Sequence, residues 1–250
     1  GVVITGGTSG IGKATAKKFI DEGATTVLLT ADSMEIVDQA LQELGEKAHA
    51  YILDVSNEQE VEKVFTQIVE RFKTIDVAFN NARIDPDGKR IPYQSLVEVE
   101  TSTWDKIMDV DLKGVFLCME WELAQMIKQG HGAIVNTSSI GGYKMAPGFN
   151  AYGVAKAGMI ALGQMAAIEN ASKNIRVNTI CPEPTQGTQL INNSFNINPN
   201  EKEMLESHVI PMKKLGLVEE VADAVLWLGS RKASPTTGQT LFIDGGMHIV

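Results

Sequence analysis

Three side chains within TSSIGGYKMAPGFNAYGVAK, residues 137–156, could together move a proton: Ser139, Tyr152 and Lys156. Tyr152 and Lys156 stand four apart in a run whose spacing predicts a helix over 151–172, so both project from one face. A free phenol, with a pKa of about 10, is a poor acid or base at neutral pH. A neighbouring ammonium favours the phenolate and brings the group toward the working range. Such a phenol can give a proton to a carbonyl oxygen, or take one from a hydroxyl, while hydride moves at the carbon. Ser139, thirteen residues before Tyr152 at the end of a predicted strand, can hydrogen-bond the same oxygen. Taken alone, the pattern also fits a surface Tyr–Lys pair beside a strand-end serine.

A hydride needs a carrier, and VVITGGTSGIGKATAKKF offers it a place: a strand, a glycine turn, then an amphipathic helix. Gly6, Gly10 and Gly12 let the backbone turn tightly and approach a pyrophosphate, with Thr8, Ser9 and Ile11 completing the turn. The anion then meets free N–H groups at the helix start. A positively charged nicotinamide would add to the effect of Lys156 on the phenol.

Strand-like runs near 2–5, 25–30, 48–53, 75–79, 132–136, 175–180 and 240–243 alternate with helix-like runs over 11–22, 34–44, 57–72, 101–128, 151–172 and 218–229. That alternation predicts an α/β fold: one Rossmann-type, doubly wound domain spanning 1–250, with a seven-stranded parallel sheet and helices on both faces. Two polar, proline-containing segments, 82–100 and 182–200, break the rhythm. Both follow predicted strands and fall where α/β folds place ligands. The second is expected to be irregular and to belong to a substrate-covering lid at about 183–212. In it Leu190, Ile191 and Phe195 would supply apolar lining, and Asn192, Asn193 and Asn196 polar contacts; Lys144 and Met145 would face the same pocket.

With 250 residues, 44% of them apolar, the chain can bury one large core. A net charge of −9 without a basic run argues against nucleic acid, and weakens the case for an acidic carrier protein as partner. Runs such as VVIT and AIVN are too short to cross a membrane, and no signal peptide is expected from the apolar strand that opens the sequence. Cys118 and Cys181 lie in apolar surroundings, and His49, His131, His208 and His248 are scattered, which predicts reduced thiols in a cytoplasmic protein and no metal site. Each histidine is expected on the surface or in a loop.

TGGTSGIG resembles the TGxxxGxG turn of the short-chain dehydrogenase/reductase family. The resemblance continues in order through LDVS (53–56), NNA (80–82), GVF (114–116), Ser139, YGVAK (152–156), IRVNTICP (175–182) and GQTLFIDGG (238–246). The closing segment and PMKKLGLVEEVADAVLWLGS look most like the branch of 3-oxoacyl-carrier-protein reductases and bacterial hydroxysteroid or sugar-alcohol dehydrogenases. The resemblance implies an oxidoreductase interconverting a secondary alcohol and a ketone, with Ser139, Tyr152 and Lys156 catalytic and Lys156 also holding the nicotinamide ribose. It implies adenine contacts from Asp54 and Val55, and further cofactor contacts from Asn81, Ala82, Pro182, Glu183 and Thr185. A homotetramer, paired through the 151–172 helix and the one before it, is the implied assembly.

The family's cofactor-selecting aspartate falls here on Thr30, with Asp32 two residues later and no cation nearby. That balance tips toward NAD(H), with NADP(H) the alternative. Three positions depart from the pattern: NNAR puts Arg83 where glycine is usual, PE puts Glu183 beside the ring, and DLKGVF puts Asp111 at the asparagine that completes the catalytic set. Arg83 and Glu183 could pair. Asp111 accepts a hydrogen bond as asparagine does but brings a charge toward Lys156. These departures feed a second reading, a family member that binds nucleotide and acts as a sensor or scaffold. Small-molecule alcohols or ketones, such as a steroid, a sugar alcohol or a 3-oxoacyl thioester, remain open as substrates.

Overall fold

Val2, Val3 and Ile4 are all buried, yet their side chains enter two different cores. This is what a parallel strand covered on both faces requires, since successive side chains point to opposite sides. The protein is described from a computed structural model over residues 1–31, 34–84, 94–182 and 184–250.

Strands β1 (Val2–Thr5), β2 (Val27–Ala31), β3 (Ala48–Ile52), β4 (Val77–Asn80), β5 (Gly132–Thr137) and β6 (Ile175–Pro182) belong to one sheet. Two-residue strands β7 (Thr185–Gln186) and β8 (Gly216–Leu217) pair with each other, and β9 (Thr240–Ile243) completes the main sheet. The order is β3-β2-β1-β4-β5-β6-β9, with every neighbouring pair parallel. The chain runs outward from β1 on one side and from β4 on the other. That reversal leaves a crevice at the carboxyl ends of the two strands.

Helices α1 (Gly10–Asp21), α2 (Glu35–Leu44), α3 (Glu58–Phe72), α4 (Thr101–Met108), α5 (Gly114–Gln129), α6 (Asn150–Asn170), α7 (Gln189–Ile197), α8 (Glu201–Met204) and α9 (Val218–Gly229) connect the strands. One core packs Phe65, Ile68, Met119 and Met159 on Val3, Ala78 and Ile134; the other packs Phe19, Val221 and Val225 on Ile4, Phe79 and Val135. Burying a side chain of this size contributes about 1.5–3 kcal/mol. The apolar stretch Asn150–Lys173 is long enough to cross a bilayer, but half of it is buried inside the fold.

Two expectations need correction. The helix over 101–128 is two helices joined by a π-helical turn, Asp109–Lys113, which holds one extra residue per turn. The segment after β6, expected to be irregular, is partly helical, α7 starting where the Thr188 hydroxyl accepts from Ile191 N at 3.4 Å. A small separate core of Leu205, Ile210 and Leu215 with Phe195 and Met247 underlies it.

Candidate active site

The glycine turn and the Ser139–Lys156 segment meet across the crevice because β1, β4 and β5 are adjacent. Gly6 has φ +62°, and a Cβ there would lie 3.1 Å from Ala82 Cα. At Gly12 a Cβ would lie 2.2 Å from the Gly6 carbonyl oxygen, so α1 could not sit on the turn with any side chain there. The turn is tied to the neighbouring strands. Gly7 N donates to Thr30 O at 3.1 Å, and Asn81 Nδ2 to Gly6 O at 3.3 Å. Thr5 Oγ1 accepts from Asn81 N (2.9 Å) and Ala82 N (3.1 Å). Ser9 precedes α1 in extended conformation, and its hydroxyl caps no backbone N–H of the helix. The first-turn amides are thus left for an anion.

Ser139 follows β5 and accepts from Gly141 N at 3.1 Å, which leaves its hydroxyl proton to donate. Ser138 is buried, and its hydroxyl donates to Lys156 O at 2.7 Å. Both serines line the cleft, but the Ser138 hydroxyl proton is already engaged. Tyr152 and Lys156 sit one turn apart on α6, with the ammonium 5.7 Å from the ring centroid. Lys156 is 2% exposed and donates to Thr137 O at 3.2 Å. Asp111, fully buried on the π-helical turn, places Oδ2 3.5 Å from Lys156 Nζ while Oδ1 accepts from Ile84 N at 2.9 Å. One carboxylate thus joins Lys156 to the segment that follows β4. Burial pushes the thiol of Cys181, beside this site, up to about 11, and both cysteines are free and buried.

A cleft of about 1580 Å³ runs along these elements. Gly6, Thr8, Ser9, Gly10, Ile11, Thr30, Asp54, Val55, Asn81, Ala82, Ser139, Tyr152, Lys156, Pro182 and Thr185 all line it. Gly12 and Asp111 stand behind its wall, as their burial requires. Asp32 and Glu183 lie outside the described residues, and with them the Arg83–Glu183 pairing. The Thr30 hydroxyl accepts from Gly6 N at 3.4 Å, so it serves the turn. Asp54 Oδ1 accepts from the backbone N and hydroxyl of Ser56, at 2.9 and 2.7 Å.

Of the expected substrate contacts, Lys144, Met145, Leu190 and Ile191 line the cleft. Phe195 packs into the small core of Leu205, Ile210 and Leu215, and Asn192, Asn193 and Asn196 are not among the lining residues; Gln189 and Ser194 take their place. The helical period of α7 decides this, since it turns Asn192 and Asn196 out to solvent. Met247 and Val250 also reach the cleft, Lys144 Nζ donating to Met247 O at 3.3 Å. No local signal marks them, because they arrive from the far end of the chain. Thr5, also missed, carried a signal: it is the first residue of TGGTSGIG.

Residues 6–248 match the family model described as Enoyl-(Acyl carrier protein) reductase. The chain is 36% identical over 251 residues to a 3-oxoacyl-[acyl-carrier-protein] reductase of Thermotoga maritima, covering 99% of this chain and 97% of that one. The crystal structure of levodione reductase superposes with a TM-score of 0.91 at 33% identity, covering 99% and 96% of the two chains. That of NAD+-bound xylitol dehydrogenase gives 0.89 at 29% identity, covering 98% and 97%. With the glycine turn, the strand order and the Ser139–Tyr152–Lys156 cleft, these likenesses agree: the chain belongs to the short-chain dehydrogenase/reductase family and is an oxidoreductase acting on CH–OH and C=O groups.

Proposed function

We propose that this protein interconverts a secondary alcohol and a ketone, with Tyr152 as general acid–base. The observation that carries this is one cleft lined by Ser139, Tyr152, Lys156 and the glycine turn, with Lys156 set between Tyr152 and Asp111. A dinucleotide fits the cradle that Gly6 and the open start of α1 form. Gly6, Ser9 and Gly10 would hold its pyrophosphate, Asp54 and Val55 its adenosine end, and Lys156 its nicotinamide ribose. When bound, it supplies or accepts the hydride.

The protein's own residues manage the proton and the geometry. Tyr152 gives a proton to the substrate oxygen in reduction and takes it in oxidation. Ser139 donates to the same oxygen and fixes its position. Lys156, held by Thr137 O and Asp111, keeps a positive charge beside the phenol. Met145, Leu190, Ile191 and Val209 exclude water around an apolar substrate body, and Lys144 offers a polar contact. The lid formed by α7 and α8 covers this end of the cleft. The near-ultraviolet absorbance of reduced nicotinamide, followed with a panel of ketones and secondary alcohols, tests the reading; binding of dinucleotide without turnover on any of them would overturn it.

NAD(H) is the preferred carrier. Beside β2 and β3 the cleft is lined by Thr30, Ala31, Ile36, Ile52, Asp54 and Glu60, with no Lys or Arg among the described residues there. Carboxylates in such a place repel an added phosphate. NADH is expected to bind at least about tenfold more tightly than NADPH in paired titrations; equal or reversed affinities would exclude the preference.

The working form is a homotetramer. Phe116 on α5 and Met165 and Ile168 on α6 are 49%, 59% and 80% exposed, and Met108, Leu112, Phe116 and Leu162 border an apolar groove between these helices. Such contiguous apolar surface favours self-association. Sedimentation velocity should give four times the chain mass of 27.1 kDa; a monomer would refute it.

A further inference from the structure

One layer beneath the catalytic residues lies a closed polar cluster that the chemistry above does not use. Asn80 and Asn136 are register partners at the ends of β4 and β5, and both are fully buried. Asn80 Nδ2 donates to Asn136 Oδ1 at 3.1 Å and to Glu122 Oε2 at 3.0 Å, Glu122 arriving from α5 with no exposure. Asn136 Nδ2 reaches Met119 Sδ at 3.3 Å. Glu122 Oε1 and Asn80 Oδ1 have no hydrogen-bond partner among the described residues. Burial pushes the Glu122 carboxyl up to about 8, the hydrogen bond from Asn80 opposing. The titratable group beside it is Cys118 on the same helix, itself raised by burial and by Glu122. The other elements around Asn136 present uncharged groups, Gly163 from α6 and Thr179 from β6. Lys156 and Asp111 form the charged pair in the layer above.

The cluster grips the two strand ends that carry the site. One residue beyond Asn80, Asn81 binds the glycine turn; one residue beyond Asn136, Thr137 accepts from Lys156 and donates to Asn81 Oδ1 at 3.5 Å. We propose that Glu122 is a positioning residue, which in its neutral form clamps the ends of β4 and β5 so that Asn81 and Thr137 hold the cofactor turn and Lys156 in place. An ionised Glu122 would be a dry charge with a single amide donor. Relieving it requires water between α5 and the strand ends, and so loosens the layer above. Dinucleotide affinity and proton occupancy at Glu122 are therefore linked.

The inference rests on the dinucleotide reading, and its test separates the two. NADH is titrated by fluorescence from about pH 6 to about pH 9.5 against the wild type, Glu122→Gln and Tyr152→Phe. The wild-type Kd is expected to rise about tenfold through the titration near pH 8, that of Glu122→Gln to change less than about twofold, and Tyr152→Phe to keep the wild-type rise. Thermal melts give a second readout. The folded-state value of about 8 lies above the ordinary 4.5, so the neutral form's stabilisation is complete below about 4.5 and gone once pH passes about 8. The wild-type Tm should fall across that window relative to Glu122→Gln. Parallel Kd and Tm profiles in the two proteins would overturn the proposal. If NADH binds at no pH the dinucleotide reading fails on its own, and the Tm pair still decides the clamp. Should Glu122→Gln not fold, infrared spectroscopy of the wild type replaces it: a protonated-carboxyl band lost as Kd rises supports the clamp, and its absence at neutral pH overturns it.

Discussion

Tyr152→Phe is expected to lower kcat by about 10²–10⁴-fold while changing dinucleotide affinity only a few-fold. The substitution removes one oxygen and keeps the ring. That ring packs with Ile107, Ala151 and Ala155 and edge-on to Phe149 at 6.4 Å, contacts that phenylalanine keeps. On the mechanism proposed above, what is lost is the group that exchanges a proton with the substrate oxygen. Ser139 still donates to that oxygen, which sets a residual rate above the uncatalysed one. Stopped-flow measurement of the hydride step on a confirmed substrate checks this; a rate within twofold of wild type would remove Tyr152 from the mechanism.

Lys156→Met is expected to cost both activity and stability. The side chain is 2% exposed and lies 3.5 Å from a carboxylate that is itself fully buried. Methionine fills much of the space but removes the cation that Asp111 faces, leaving the carboxyl, among the described residues, the hydrogen bond from Ile84 N. Breaking one partner of a buried pair typically costs about 3–5 kcal/mol, which for a chain of this size lowers Tm by about 6–20 °C. Adding Asp111→Asn should recover a large part of that loss, because the orphaned charge goes with it. Turnover should stay lost in the double variant, since the cation beside Tyr152 is still missing. Calorimetry of the three variants checks the cycle. A double variant no more stable than Lys156→Met would show that the pair is not coupled.

The main sheet was readable from the chain because its central strands are buried on both faces, so the apolar cores of VVIT, VLLTA and GAIVNT stand out. The site was readable for a different reason. The glycine turn and the Ser139–Tyr152–Lys156 set are each local in sequence, and only their meeting needs the fold. Contacts between distant segments were hidden: Thr5 to Asn81, Asp111 to Ile84 and Glu122 to Asn80 join residues with no periodic relation. Helix α7 escaped because QLINNSFNI is rich in asparagine, a weak helix former, and its start depends on the Thr188 cap. The break between α4 and α5 escaped because a single extra residue barely disturbs the apolar rhythm over 101–128.

That extra residue does something a straight rod could not. Upstream of Asp109–Lys113, Trp104 and Ile107 lie against Ala151 and Tyr152; downstream, Val115, Cys118 and Met119 lie against the sheet. A uniform spiral would fix the angle between those two sets of side chains. The wide turn resets the phase, so each half can be aimed at its own neighbour. Asp111 stands at the joint, and shortening this stretch by one residue would swing one half out of alignment with its neighbour and carry the carboxylate away from the ammonium it faces.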